Sequence, residues 1–288
     1  MKAAVLAFNL VLGIAAFIGS QAESISAGTC GKAAIKHVDG NDLNGFRVVG
    51  GTEAQPGSWP WMAGFSIRDR RNKYEHTCGG SLIHPQWVLL AAHCFSHRTE
   101  PEYYKYYKIT LGKHAMDGSE PTEQEFDVDT IIVHEKYRWA PRGYDIALVK
   151  LSRPAVLNDR VSTICLPSQH ARPGQYCYVT GWGLTHGTSS HGNLKQAYVP
   201  VVDKDVCRSK SYYGTSIRTK MMICAGYEEG GHDACQRDSG GPLACEVKGR
   251  YEVYGIVSFG TGCALAKKPG IYTRVTTYLP WIRSKIWK

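Results

Sequence analysis

The stretch Phe126-Asp127-Val128-Asp129-Thr130-Ile131-Ile132-Val133 decides the fold class. Phe126, Val128 and Thr130 alternate with Asp127 and Asp129, so an extended chain turns the first set to one side and the acids to the other. A helix would mix the two sets around its circumference. Short apolar runs recur on both sides, over 80–83, 87–92, 146–151, 176–180 and 251–258, separated by Gly, Pro and Asn turns. Glycine adds to the tilt: 31 of 288 residues, about 11% against a typical ~7%, favours turns and short strands over long helices. Only the C-terminus offers a helix, with Thr276 or Thr277 as its cap, Pro280 in its first turn and Leu279, Ile282 and Ile286 on one apolar face. The expectation is an all-β chain with one C-terminal α-helix docked on it.

Lys and Arg number 34 against 25 Asp and Glu, a formal charge of +9, and 43% of residues are hydrophobic. Such a composition forms a core and excludes a disordered, collagen-like or coiled-coil chain. Charge of this size with no motif behind it does not make a nucleic-acid binder. Met1 and Lys2 precede a nearly unbroken apolar run over 3–19, and Ser20-Gln21-Ala22 follows, which reads as a secretory signal over 1–22. No later run is long enough to span a bilayer. Export implies oxidising conditions, and the ten cysteines (Cys30, Cys78, Cys94, Cys165, Cys177, Cys207, Cys224, Cys235, Cys245 and Cys263) form an even set suited to disulfides. Their spacing cannot choose among the many possible pairings. No Cys-x-x-Cys pair occurs, so zinc is the weaker reading, and neither a metal nor another cofactor is expected. Tyr103-Tyr104-Lys105-Tyr106-Tyr107-Lys108 is unusually aromatic and basic, and taken alone reads as a solvated loop.

Three separated segments carry chemistry together: Leu90-Ala91-Ala92-His93-Cys94, Tyr144-Asp145-Ile146-Ala147-Leu148 and Asp238-Ser239-Gly240-Gly241-Pro242. A serine hydroxyl is a poor nucleophile at neutral pH unless an imidazole takes its proton, and a buried carboxylate can hold that imidazole in the right tautomer. In this order and beside a cysteine-rich framework, the segments resemble the trypsin-like serine peptidases of the chymotrypsin family, from Val48 to the C-terminus. The resemblance implies two antiparallel six-stranded β-barrels with the active site in the cleft between them. It implies His93 as general base, Asp145 as the acid that orients it and Ser239 as nucleophile. Asp233, six residues before Ser239, matches the base of the primary specificity pocket, where a carboxylate selects Arg or Lys. Ser258, Gly260 and Gly270 match residues of the same pocket, and Ser258 is expected to hydrogen-bond Asp145.

Arg47-Val48-Val49-Gly50-Gly51 resembles the family's activation sequence, which divides the chain into a signal over 1–22, a propeptide over 23–47 and a peptidase domain over 48–288. The Val48 amine freed by cleavage would pair with Asp238 and order the pocket. Before cleavage, His76 matches the residue that can hold that acid instead. The resemblance implies the disulfides Cys30–Cys165, Cys78–Cys94, Cys177–Cys245, Cys207–Cys224 and Cys235–Cys263, the first of which would tether the cut propeptide.

Two positions depart from the family. Arg237 stands where Gly is usual, and the backbone N–H groups of Arg237 and Ser239 would form the oxyanion hole. Its side chain would intrude on the leaving-group side of the cleft, which suggests tolerance of protein inhibitors. Lys113 stands at the first matching ligand position of a loop where some members bind calcium, and is expected to pair with Glu120 or Glu123 instead. The 95–111 segment is longer than in digestive relatives. The function expected is a secreted, monomeric serine endopeptidase, made as a zymogen and activated by a trypsin-like protease or by itself, that cuts protein or peptide substrates after Arg or Lys without nucleic-acid or membrane partners. The alternative is a weak or inactive homologue acting as a secreted binding protein through its basic surface.

Overall fold

The computed structural model describes residues 30–37, 51–95, 98–183, 192–231 and 237–287. The signal segment, Arg47, Val48, Asp233 and Cys235 lie outside the described residues. Six strands, β2 (Met62–Arg68), β3 (Tyr74–His84), β4 (Trp87–Leu90), β5 (Tyr107–Leu111), β6 (Gln124–Val133) and β7 (Ala147–Leu151), close a barrel in the order β2-β3-β4-β7-β6-β5. Six more, β8 (Tyr176–Gly181), β9 (Lys195–Val202), β10 (Met222–Ala225), β11 (Pro242–Val247), β12 (Arg250–Phe259) and β13 (Gly270–Arg274), close a second because β8 pairs with β9. All of these pairings are antiparallel, and closure leaves neither barrel a free edge. The short β1 (Thr52–Glu53) adds to β9, so chain just after the activation sequence already lies on the second barrel.

Strand β6 shows how the pattern becomes structure. Phe126 and Val128 are buried and Asp127 and Asp129 exposed, as alternation demands. A bulge between Val128 and Thr130 then shifts the phase, so Ile131 rather than Thr130 faces the core. The seam between the barrels is aromatic: Trp59, Trp61, Tyr178 and Tyr251 share one buried cluster, and Trp59 Nε1 donates to Gln196 Oε1 at 2.9 Å. Each large side chain removed from water here contributes on the order of 2 kcal/mol.

The disulfides Cys30–Cys165, Cys78–Cys94, Cys177–Cys245 and Cys207–Cys224 form as the resemblance implies. Cys263 is also disulfide-bonded, and its expected partner Cys235 lies outside the described residues. Such bonds are typical of secreted proteins. No helix among the described residues is long and apolar enough to cross a membrane.

Besides the one-turn α1 (Lys204–Cys207), the chain ends in α2 (Val275–Ile286). Its start differs from expectation: neither threonine caps it, the helix follows Arg274 directly, and Pro280 lies in its interior. The hydroxyls are drawn elsewhere, Thr277 Oγ1 donating to Lys220 O and Thr276 Oγ1 bonding His170 Nδ1. Val275, Tyr278 and Ile282 form the buried stripe, while Leu279 and Ile286 pack at its margin.

Candidate active site

Each barrel supplies part of the site. His93 lies in the 3-10 turn Ala92–Phe95 that follows β4, and Asp145 just precedes β7; Ser239 lies in the turn entering β11, and Ser258 on β12. Asp145 is fully buried and its carboxylate is saturated. Oδ1 accepts the backbone N–H of His93 at 2.9 Å, while Oδ2 accepts from His93 Nδ1 at 2.8 Å and from Ser258 Oγ at 2.5 Å. An ionised carboxylate only accepts, so Nδ1 carries the ring proton and the neutral imidazole leaves Nε2 with its lone pair. Burial pushes the His93 pKa down, but the hydrogen bond to Asp145 and its charge outweigh this and hold the imidazole above its ordinary 6.5.

The backbone around Asp145 is held under strain. Tyr144 has φ +60°, a left-handed conformation that costs a bulky residue about 1–2 kcal/mol. Tyr278 on α2 compensates, its hydroxyl oxygen accepting the Tyr144 N–H at 3.0 Å, and Thr273 Oγ1 donates to Asp145 O at 2.8 Å.

The Ser239 turn packs on the His93 turn through glycine. Gly79 N donates to Ser239 O at 2.8 Å, and Gly240 has φ +83°. A Cβ at Gly240 would lie 2.5 Å from Gly79 O and 3.4 Å from Cys94 Sγ, so only glycine lets the two turns meet. Cys94 adjoins His93 in the chain and is bonded to Cys78, which ties this contact to β3.

Asp238 is not held by His76. Its Oδ1 accepts the N–H of Gly183 at 2.7 Å, in a space that a side chain at Gly181 would fill. His76 instead donates through Nε2 to Arg237 O at 3.2 Å. Burial pulls the His76 pKa down to about 4. Arg237 itself has φ +75°: it adopts the left-handed backbone that glycine would take, and its side chain is exposed.

Gly260 is exposed at the end of β12, and among the described residues a Cβ there would meet only Gly262 O, at 3.5 Å. Gly270 opens β13, and the Phe259–Ile271 pairing sets the two glycines at the same end of adjacent strands. Sequence reasoning missed Gly79, Gly181 and Gly183 as parts of the site. For Gly79 and Gly181 the signal was glycine within a strand, which marks a close backbone approach, while Gly183, outside any strand, gave none.

The loop over 113–123 does not fit a calcium ion. Lys113 Nζ donates to Glu123 Oε2 at 2.6 Å and to Gly118 O at 2.7 Å, while the Glu120 carboxylate accepts the N–H groups of His114 and Ala115. Both members of the Lys113–Glu123 pair are nearly buried, at 9% and 11% side-chain exposure. Excess EDTA is therefore expected to leave Tm unchanged, whereas Lys113→Ala strands Glu123 and should cost about 2 kcal/mol, roughly 4–8 °C in Tm. A scanning-calorimetry fall of that size on adding EDTA to the unmutated protein would overturn this.

A family model described as Trypsin matches residues 48–282, which takes in both barrels, His93, Asp145, Ser239 and most of α2. The chain belongs to the trypsin family of serine proteases.

Proposed function

We propose that the chain is exported by a signal over 1–22, kept dormant by the propeptide over 23–47 and, once cut after Arg47, hydrolyses peptide bonds after Arg or Lys through an acyl-enzyme on Ser239. The observation that carries this is the Asp145 carboxylate, fully buried and accepting both the backbone and the ring N–H of His93. That arrangement leaves His93 Nε2 as the base. In the proposed reaction Ser239 Oγ bonds to the substrate carbonyl carbon as its proton passes to Nε2, giving an imidazolium that Asp145 stabilises. The oxyanion is met by the N–H groups of Ser239 and Arg237. The C–N bond then breaks, the leaving amine takes the proton from Nε2, and water repeats the sequence to free the acid and Ser239.

Only neutral His93 can act as base, so activity should fall as pH drops through a pKa lying above 6.5. Stability slopes the other way. A raised folded-state pKa means that protonated His93 adds stability below 6.5, and that this contribution is lost as pH rises through the raised value.

Asp233 at the pocket base would pair with a cationic substrate side chain, and Gly260, which has no side chain to close the pocket wall, fits that reading. Asp238, already in contact with Gly183, is suited to receive the Val48 ammonium. The propeptide would stay attached after the cut, because Cys30 is bonded to Cys165, Gly31 exchanges backbone hydrogen bonds with Thr163 and Tyr251, and His37 packs against Trp59 and Tyr178.

With φ at +75°, Arg237 already takes the left-handed backbone that glycine would supply, which supports a retained N–H donor and an effect confined to bulky ligands. Arg237→Gly is expected to change hydrolysis of a small peptide ester less than threefold and to tighten a rigid protein inhibitor by about tenfold or more, roughly 1.4 kcal/mol. Relief of the left-handed strain should also raise Tm by about 1–4 °C. Inhibition constants measured side by side would refute the idea if both proteins bound the inhibitor equally.

The test of the proposed chemistry is covalent labelling with a fluorophosphonate. Peptide mass mapping should find the adduct on Ser239 after cleavage at Arg47 and none before. An adduct elsewhere, or none in the cleaved and folded protein, would contradict it.

A further inference from the structure

The hairpin joining β2 and β3 carries Arg68-Asp69-Arg70-Arg71-Asn72-Lys73, four cations and one acid in six residues. Its tip is a built structure. Asp69 Oδ1 accepts the N–H groups of Arg71 and Lys73, both at 2.8 Å, and Asn72 takes a left-handed φ of +66°. Asp69 Oδ2 also lies 3.5 Å from Arg71 Nε, an exposed pair that water and salt screen, while Arg70, Arg71 and Lys73 are exposed, the Arg71 side chain by 83%.

The aromatic and basic segment over 103–108 completes the same surface. Its buried half is structural: Tyr107 Oη donates to Arg98 O, and Tyr104 Oη accepts the N–H of Ile131. Its exposed half meets the hairpin. Arg68 and Lys105 lie 5.1 and 5.2 Å from the centre of the Tyr106 ring, Lys108 lies 5.7 Å from that of Tyr74, and Tyr74 Oη donates to Lys105 O. Six cations, Arg68, Arg70, Arg71, Lys73, Lys105 and Lys108, therefore share one face, with Asp69, Glu75 at its cleft border and Asp127, 3.2 Å from Lys108, as the acids beside them. The aromatic rings fix the long cationic stems in place, which lowers the ordering entropy that a ligand must offset.

We propose that this face binds a linear sulfated polysaccharide. The rings that could anchor a protein partner, Tyr74 and Tyr106, already carry cations on their faces, so the patch offers charge without an apolar socket. Three arginines supply planar, two-pronged donors suited to sulfate oxygens. A repeated polyanion gains from such a spread array by releasing its condensed counterions, whereas a small anion would meet no enclosed site. The patch shares Tyr74, Glu75 and Lys108 with a groove of about 800 Å³ that runs to His76 and Arg237 and is itself lined by Asp117, Glu120, Glu123 and Glu125, which would keep a polyanion on the hairpin face. A bound polymer would thus lie beside the cleft, outside the catalytic residues.

The experiment measures heparin binding by the full-length protein across NaCl concentrations. Affinity should fall linearly on a log–log plot, and Arg70→Ala/Arg71→Ala/Lys73→Ala should weaken it at least tenfold and flatten the slope by about two to three. Lys204→Ala/Arg208→Ala/Lys210→Ala, an equal charge change on the second barrel, should stay within twofold of the parent. Desulfated heparin should not compete, and both triple variants should keep the parent's Tm and, after cleavage at Arg47, its rate of peptide-ester hydrolysis, which verifies their folding. Equal losses in the two triple variants would reduce the effect to net charge and overturn the proposal. So would an unchanged hairpin variant, or tighter binding of an acidic polypeptide such as poly-glutamate than of heparin.

Discussion

Ser239→Ala in the cleaved protein is expected to lose about 10⁶-fold in kcat, the scale seen when a serine nucleophile is removed from a working triad. The substitution deletes one oxygen and nothing that holds the site. The Ser239 carbonyl keeps its bond from Gly79 N, Asp145 keeps its donors, and Gly240 keeps its conformation. Folding, disulfides and inhibitor binding should therefore survive, and KM should move little. A residual rate of roughly 10³-fold over water would remain from the oxyanion donors and substrate positioning. Steady-state and single-turnover kinetics on one peptide ester distinguish these terms. Retention of even a tenth of the parental kcat would remove Ser239 from the mechanism.

Asp145→Asn should cost about 10⁴-fold, the size of this change in relatives with the same triad. The geometry explains its direction. Three donors converge on the Asp145 carboxylate, and an amide replaces one acceptor oxygen with a donor. If its nitrogen faces His93, the ring must accept through Nδ1, its proton moves to Nε2, and the atom needed as base becomes a donor. Because Asp145 also holds the His93 pKa up, the variant's remaining activity should titrate at lower pH than the parent's. A purely structural role for Asp145 would lower activity without moving that profile, so the pH dependence of kcat/KM discriminates between the two. Ser258→Ala, which removes one donor from the same carboxylate, should shift the profile in the opposite sense and by less.

Strand character was legible in short apolar runs, and in β6 in a period of two, since a half-buried strand writes its faces into its residues, whereas the two barrels followed only from resemblance to the family. That legibility ends where the backbone departs from regularity. The bulge after Val128 is invisible to alternation, because the residues on either side still read as a strand. The start of α2 was misread because Thr276 and Thr277 are good caps in isolation, and only the folded chain offers their hydroxyls His170 and Lys220 O. The segments of His93, Asp145 and Ser239 were legible, but the contacts that position them were not. They run between distant glycines, from Tyr278 back to a strained Tyr144, and through the room that Gly181 leaves for Asp238. The disulfides show the same limit: spacing left their pairing open, and resemblance to a family supplied it. The basic hairpin over 68–73 was not read from the sequence, because its union with Tyr74 and Tyr106 depends on the register of β2, β3 and β5.

The most direct test of the central claim is single-turnover hydrolysis of matched Arg, Lys, Phe and Ala peptide esters by the full-length protein, before and after limited cleavage at Arg47. Turnover that appears only after cleavage and is confined to the Arg and Lys esters is the result the account predicts. No turnover despite confirmed cleavage and intact folding would contradict it, as would equal rates on all four esters.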